Sequence, residues 1–247
     1  MVMDRTIEGE GTSEREWLAD PDLCRVRSIT STDLFAPEQR LVICAPHPDD
    51  EILPCAGSLV QRGAGQLLIL AITDGEMSHP MLRDTLKEVR PRESQASIEA
   101  LDVPAEVTRL GFADGQLQPS LPALTRAIAA TLRPDDCLLA PWGLDGHPDH
   151  EATYQAAAAA ANLAGAAPPI EMPIWAWHWC RPHHNPIPWS RAVKVPITQE
   201  ALQRKHQAIA QFTTQICRLD GEAPILTERT LQRFLRPWEI FFPFHLS

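Results

Sequence analysis

The sequence lacks features that would place it in several other protein classes. Its 247 residues include 22 basic and 32 acidic side chains, giving a net charge of −10. It therefore has no excess of the positive charge that binds nucleic-acid backbones or anionic membrane surfaces. No apolar run is long enough to span a bilayer, and residues 1–5 contain acid but no apolar signal-peptide core. We expect a cytoplasmic protein without a nucleic-acid or membrane partner.

The six cysteines also lack the spacing of a structural framework. No two of them are separated by the two residues of a zinc knuckle or a redox motif. Cys44 and Cys137 lie inside apolar runs, where a thiol packs as a small hydrophobic group, so we expect reduced cysteines. Because no repeat or low-complexity linker divides the chain, we predict a single domain over residues 1–247. It would comprise an extended N-terminal arm (1–38), a motif-bearing core (40–165), and substrate-side and closing elements (166–247).

Strand and helix patterns alternate through the core. Apolar runs occur at 40–45, 67–72, 107–110 and 137–141, and helical patterns occur near 52–62, 82–101, 121–132 and 151–163. This alternation predicts an α/β fold of three layers, with a Rossmann-like, mostly parallel sheet and helices on both faces. Ligands bind beyond the carboxyl ends of the strands in such sheets. Polar segments at those ends are therefore the candidates for function.

The first of these segments, Pro-His-Pro-Asp-Asp-Glu at residues 46–51, follows the apolar run 41–45. Unpaired charges are too costly to bury as core packing, whereas a histidine and carboxylates suit a metal site with a base beside it. Asp49 and Asp50 are neighbours, so one can reach a metal while the other stays free. The alternative is a helix cap formed by the aspartates, with His47 as a core histidine.

The second segment, His-Pro-Asp-His at residues 147–150, follows the apolar run 137–141. At the start of a helix, His147 and His150 would share a face and address one site. The alternative is a turn that only caps the following helix. Both clusters can meet in space if their strands belong to one sheet.

Together, the two clusters resemble the zinc-dependent N-acetylglucosamine deacetylases of the PIG-L/LmbE type. The similarity runs from about residue 40 to about 165, with support from Thr-Asp-Gly-Glu at 73–76 and Arg-Glu-Ser-Gln-Ala at 92–96. The resemblance implies that His47, Asp50 and His150 hold Zn²⁺, although the same ligands also take Fe²⁺ or Co²⁺. It implies that Asp49 is the general base for metal-activated water.

The resemblance also implies two supporting roles and one departure. His147 would donate to the oxyanion or protonate the leaving amine, and Asp149 would orient a histidine. A family branch that acts on thiol-cofactor precursors has a tyrosine two places before His147, where this chain has Asp145. An ionised carboxylate cannot donate to an oxyanion, so the departure argues against that branch.

The substrate contacts are less well defined. Arg90 and Arg92 are candidates for holding a substrate phosphate or carboxylate, Asp114 for sugar hydroxyls, and Trp177 for stacking on a sugar ring. Solvated helix charges, an Asp-Gly turn and a tryptophan-rich core strand are the respective alternatives. Trp175, Trp177 and Trp179 alternate with a period of two, which predicts a strand that carries all three on one face.

We therefore expect a hydrolase that removes an acetyl group from an N-acetylated amino sugar, with a small-molecule amino-sugar conjugate as its partner. The alternatives are a zinc amidohydrolase on an acylated antibiotic or other metabolite, and a non-catalytic metal- or carbohydrate-binding protein. A homo-oligomeric state is left open.

Overall fold

A computed structural model describes residues 5, 7–63, 65–183 and 185–244, and these form eight strands and eleven helices. The strands are β1 (Arg27–Ser28), β2 (Leu41–Ala45), β3 (Leu67–Thr73), β4 (Glu106–Phe112), β5 (Cys137–Pro141), β6 (Ile170–Met172), β7 (Val193–Pro196) and β8 (Trp238–Phe241). The helices are α1 (Glu14–Leu18), α2 (Pro21–Arg25), α3 (Ser31–Leu34), α4 (Ala56–Arg62), α5 (Arg83–Leu101), α6 (Leu121–Ala129), α7 (Pro148–Ala164), α8 (Ala176–Trp179), α9 (Gln199–Ile209), α10 (Thr213–Ile216) and α11 (Glu228–Gln232). A 3₁₀ turn spans Pro80–Leu82.

Five parallel strands form the central sheet in the order β4-β3-β2-β5-β6. The chain moves outward from β2 through β3 to β4, and then returns to the other side of β2 to add β5 and β6. The direction of winding therefore reverses between β2 and β5. In open parallel sheets, the crevice at such a reversal is where ligands bind. Both polar clusters follow these two strands.

The sheet is covered on both faces, and β2 shows this directly because all five of its residues are buried. Leu41 and Ile43 pack in the core that contains residues of α4 and α5. Val42 and Cys44 face the opposite core, which contains residues of α6 and α7. Each fully buried Leu, Ile or Val side chain contributes roughly 1.5–3 kcal/mol. The predicted α/β fold with helices on both faces is confirmed.

A second sheet of three strands, in the order β1-β7-β8, adjoins the edge of the first. Strand β1 is parallel to β7, and β7 is antiparallel to β8. Glu171 of β6 exchanges both of its backbone hydrogen bonds with Phe242, just beyond β8. The C-terminal part of the chain is thereby joined to the main sheet beside the reversal point.

The prediction of an extended N-terminal arm is wrong for the part of residues 1–38 that the structure describes. This part contains three short helices and strand β1. Ser13 and Thr30 each form a capping box at the start of a helix, which supplies the local reason for α1 and α3. Trp17 of α1 is fully buried in the main core, where its ring meets the edge of Trp177 at 5.1 Å.

The predicted tryptophan strand is also wrong, because residues 176–179 form the short helix α8. The carboxylate of Asp145 accepts hydrogen bonds from the backbone N–H groups of Ile174, Trp175 and Ala176 at 2.8–3.0 Å. A helix start leaves such donors without partners inside the helix, and Asp145 satisfies them. Among the described residues, no helix is both long and apolar enough to cross a membrane.

Candidate metal centre and substrate cleft

The two histidine-containing clusters converge at the reversal point of the sheet. The ring centroids of His47 and His147 are 4.8 Å apart, and those of His147 and His150 are also 4.8 Å apart. Each of the three histidines offers a ring nitrogen, and these nitrogens lie within 4.8 Å of one another. The predicted meeting of the clusters is therefore what the structure shows.

Asp49 and Asp50 point in different directions because the backbone bends between them. Asp49 has a φ of 121°, a region that side-chain-bearing residues rarely adopt. Backbone strain of this kind is concentrated at functional sites. Asp50 is directed at the two histidines His47 and His150, whereas Asp49 is directed at Arg90.

Asp50 lies between two ring nitrogens in an arrangement that fits a divalent metal. Its Oδ2 atom is 3.2 Å from Nδ1 of His47 and 3.2 Å from Nε2 of His150. The Nε2 atom of His150 is buried and has no hydrogen-bond partner within the described residues. A buried nitrogen left unpaired beside a carboxylate is costly, and a metal ion would satisfy both groups. Two imidazoles and a carboxylate are a typical zinc donor set.

Each of these two histidines has a carboxylate at its far ring nitrogen. Nε2 of His47 is 3.1 Å from Asp114 and 3.5 Å from Asp149, and Nδ1 of His150 is 2.8 Å from Asp145. Such carboxylates fix the tautomer and orientation of metal-binding histidines. Asp149, for which an orienting role was predicted, lies at His47 and also accepts the N–H of Gly115 at 2.7 Å.

Asp145 is the residue that the sequence analysis missed at this site. The sequence indicates it only as a departure from a tyrosine. In the structure Asp145 is fully buried, and its carboxylate contacts both His150 and the start of α8. The sequence signal available was its position five residues before His150, just outside the second cluster. That position does not indicate the hydrogen bonds with residues 174–176, because these residues lie about 30 positions further along the chain.

Asp49 is held in place by Arg90 and Glu51. Arg90 donates to Oδ2 of Asp49 at 3.1 Å, and Oε2 of Glu51 accepts the Asp49 N–H at 3.0 Å. Ser94 in turn donates to Glu51 at 2.5 Å. Burial raises the pKa of the Asp49 carboxyl to about 8, against the opposing charge of Arg90. These contacts fix the side chain away from Asp50.

The pKa of the neighbouring Asp50 shifts in the opposite direction. Burial disfavours its charged form, but the neighbouring charges of His150 and His47 and the hydrogen bond with His47 outweigh burial and lower the pKa of Asp50. Two adjacent carboxyls whose pKa values are pushed apart are suited to different tasks. One is suited to remain charged as a ligand, and the other to exchange a proton.

His147 is positioned as a neutral hydrogen-bond donor. It is the N-cap of α7, and its Nδ1 accepts the backbone N–H of Asp149 at 3.2 Å. In the neutral ring this leaves the proton on Nε2. Burial, together with the charges of His47 and His150, lowers the pKa of His147 to about 2.

A cleft of about 630 Å³ opens above these groups. We call its polar side the cleft floor, formed by His47, Asp49, Asp50, Arg90, Asp114 and His147. We call its apolar side the cleft wall, formed by Ile7, Ile174, Trp175, Ile225, Leu226 and Phe234. The arrangement can hold a reacting polar group at the floor and an apolar group beside it.

Two of the predicted substrate residues do not face this cleft. The Arg92 side chain is 78% exposed and pairs with Glu88 on the surface of α5. Trp177 is buried against Trp17, and the guanidinium of Arg236 lies 4.5 Å from its ring centroid. The predicted contacts of Arg92 and Trp177 with substrate are therefore corrected.

Arg90, the other arginine candidate, and Trp175 do face the cleft. Residues two positions apart on a helix point to different sides, which explains why Arg90 and not Arg92 reaches the floor. Asp114 does line the cleft, where it contacts His47 and accepts the Met77 N–H at 2.8 Å. Its predicted contact with sugar hydroxyls stays a prediction.

Comparison with known proteins shows which proteins this chain is similar to. The model of the GlcNAc-PI de-N-acetylase (PIG-L) family matches residues 42–161. A probable N-acetyl-α-D-glucosaminyl L-malate deacetylase 2 of Bacillus anthracis is 29% identical over 203 residues, which cover 75% of this chain and 87% of that protein. The resemblance inferred from the two clusters is confirmed.

Solved structures of deacetylases share the fold. The A40926 pseudoaglycone deacetylase Dbv21 superposes with a TM-score of 0.63 at 21% identity, covering 83% of this chain and 97% of that one. The N,N'-diacetylchitobiose deacetylase of Pyrococcus horikoshii gives a TM-score of 0.52 at 19% identity, covering 74% of each chain. A zinc-inhibited form of the teicoplanin deacetylase Orf2 gives 0.52 at 18% identity, covering 72% of this chain and 85% of that one.

Proposed function

We propose that this chain is a zinc-dependent hydrolase of the PIG-L type that removes the acetyl group from an N-acetylated amino-sugar conjugate. One observation carries the proposal. The Oδ2 atom of Asp50 lies 3.2 Å from a ring nitrogen of His47 and from Nε2 of His150. This Nε2 has no hydrogen-bond partner among the described residues. The adjacent Asp49 points away from both histidines and pairs with Arg90. Asp50 can therefore bind the metal while Asp49 stays free to act as the base, and hydrolysis by metal-activated water needs both roles.

His47, Asp50 and His150 would hold the metal. When bound there, Zn²⁺ would supply a Lewis acid and lower the pKa of water to about 7. Nitrogen and carboxylate ligands suit zinc, and the zinc-inhibited teicoplanin deacetylase is a structural relative, although Fe²⁺ and Co²⁺ accept the same ligands. Asp114, Asp145 and Asp149 would keep the ligand histidines in the orientation that exposes the correct nitrogen.

The remaining floor residues would carry the proton and stabilise charge. Asp49 would accept a proton from the attacking water, with Arg90 and Glu51 fixing its direction. His147, protonated on Nε2 because Nδ1 accepts a backbone N–H, would donate to the carbonyl oxygen as negative charge develops there. Of the two roles expected for His147, the neutral tautomer favours this one.

The direct test is product analysis with and without metal. The purified protein is incubated with a panel of N-acetylglucosamine conjugates and with longer acyl amides, and mass spectrometry follows acetate and free amine. Metal content is measured in parallel. We expect one metal ion per chain, acetate release, and loss of both after chelation, with recovery on adding Zn²⁺.

The alternatives give different results in the same experiment. Cleavage only of long acyl amides would indicate a different amidohydrolase, and sugar binding by the metal-loaded protein without turnover would indicate a non-catalytic protein. Activity that survives complete removal of metal would exclude the proposed chemistry. The single-domain organisation, the cytoplasmic location and the oligomeric state stay predictions.

A further inference from the structure

The cleft contains almost no positive charge that a substrate could use. Among the described residues that line it, Arg90 is the one lysine or arginine. Arg90 already donates to the carbonyl oxygens of Gly75 and Pro48 and to the carboxylate of Asp49, at 2.6, 2.7 and 3.1 Å. These bonds use three of the five N–H donors of Arg90, and its Nε, which has no partner among the described residues, is buried. The charge of Arg90 is paired with the Asp49 carboxylate and does not stand free for an anionic substrate.

Two further arginines, Arg229 and Arg233, contact the N-terminal strap, residues 7–12. Arg229 donates to the Glu10 carboxylate at 2.6 Å and to the Gly11 carbonyl at 3.2 Å. Arg233 donates to the Glu10 carbonyl and to Nδ1 of His178. Of the described strap residues, Ile7 and Gly9 line the cleft, whereas neither Arg229 nor Arg233 does.

His178 adds no charge to this side. Its Nε2 lies 3.1 Å from the carbonyl oxygen of Glu8, to which it donates, and its Nδ1 accepts from Arg233 at 3.1 Å. A ring with one donating and one accepting nitrogen is neutral. Burial and the neighbouring charge of Arg233 also lower the pKa of His178.

The opposite property, apolar surface, is abundant. Ile174 and Trp175 stand on one side of the wall, and Ile225, Leu226 and Phe234 stand on another. Ile225 is 37% exposed, which leaves apolar surface open to solvent at the cleft. Covering such surface contributes about 25 cal/mol per Å², whereas placing an unpaired carboxylate against it is costly.

We propose that the cleft selects amino sugars linked to an uncharged, apolar aglycone and discriminates against anionic conjugates. This inference rests on the proposed deacetylase function and adds the class of aglycone to it. It separates this chain from the Bacillus anthracis relative, whose name specifies a malate conjugate.

The test compares three N-acetylglucosamine conjugates that share the amide and differ in the aglycone: hexyl, methyl and malyl. We expect kcat/KM for the hexyl conjugate to exceed that for the malyl conjugate by about tenfold or more, since one tenfold step corresponds to about 1.4 kcal/mol. Equal values, or a preference for malyl, would overturn the inference while leaving the deacetylase function intact. If the metal-loaded protein cleaves none of them, the proposed function itself fails.

A charge introduced at the wall sharpens the test. Ile225→Lys should lower the ratio of kcat/KM for the hexyl conjugate to kcat/KM for the malyl conjugate by about tenfold, because it removes apolar surface and supplies a cation. We call this quantity the hexyl-to-malyl ratio. Leu163→Lys is the matched control, since Leu163 is an exposed leucine of α7 (67%) that does not line the cleft. The control should leave the ratio unchanged. An unchanged ratio in Ile225→Lys, or an equal shift in both variants, would contradict a selective wall.

Discussion

The cleft floor and the cleft wall differ in chemistry and in where they lie along the chain. All six floor residues fall within residues 42–161, the part that matches the PIG-L family model. All six wall residues fall outside it. The floor is polar, and its groups are paired with one another, whereas the wall is apolar and the nearby Arg229 and Arg233 donate to the strap. The groups proposed for the reaction and those proposed for the choice of aglycone therefore come from different parts of the chain.

Asp145 is the point at which the two regions are joined. Its carboxylate contacts Nδ1 of His150 and also accepts the backbone N–H groups of residues 174–176. Two of these residues, Ile174 and Trp175, belong to the cleft wall. Trp179 also donates its ring N–H to the Asp145 carbonyl at 2.7 Å. A single residue therefore contacts both the proposed metal ligand His150 and the start of the helix that supports the wall.

The largest expected effect is a fall in kcat, and it comes from a substitution confined to the cleft floor. Asp49→Asn removes the proposed base while keeping its size, so kcat should fall by about 10²–10⁴-fold. KM, metal content and the hexyl-to-malyl ratio should change little, because Asp49 is turned away from Asp50 and from the wall. Steady-state kinetics and metal analysis measure these quantities. Asp84→Asn, at an exposed aspartate of α5, is the control; full activity in Asp49→Asn would disprove the assignment of the base.

A change at the joint should affect both regions at once. Asp145→Asn weakens the contact with His150, so metal affinity should fall by about 10–100-fold. The amide also disturbs the helix start at residues 174–176, so KM for the hexyl conjugate should rise in protein saturated with metal. Chelator competition and kinetics separate the two effects, and Asp135→Asn, at an exposed position, is the control. A loss of metal affinity without any change in KM would show that the regions are not joined here.

The sequence predicts the floor much better than the wall, and the reason is physical. Strands, helices and the polar segments at strand ends depend on local patterns, so the two histidine-containing clusters could be placed together from the sequence. The choice of Asp50 over Asp49 as the expected metal ligand came from the family resemblance. Trp177 could not be placed, because its burial depends on Trp17, 160 positions away. Choosing Arg90 over Arg92 required knowing how α5 is rotated against the sheet, which tertiary packing decides.

The smallest effect is expected from the strap, at Gly11. This glycine has a φ of +61°, and a Cβ added there would lie 2.6 Å from the ring and the carbonyl oxygen of His178. Gly11→Ala should therefore move the strap away from His178 and loosen its contacts with Arg229 and Arg233. Because Ile7 and Gly9 line the cleft, KM for the hexyl conjugate should rise by about threefold to tenfold, while kcat for the methyl conjugate stays the same.

Gly165→Ala is the matched control for this last variant. Gly165 has a similar φ of +71°, but an added Cβ would meet nothing within 4 Å, and it lies at the end of α7 away from the strap. Both variants should lose about 1–2 kcal/mol of stability through the left-handed backbone conformation, and Gly11→Ala should lose more because its Cβ also clashes with His178. Only Gly11→Ala should alter KM for the hexyl conjugate. Equal KM values in the two variants would mean that the strap covers the arginines without contributing to selection, and the wall would then consist of residues 174–175 and 225–234 alone.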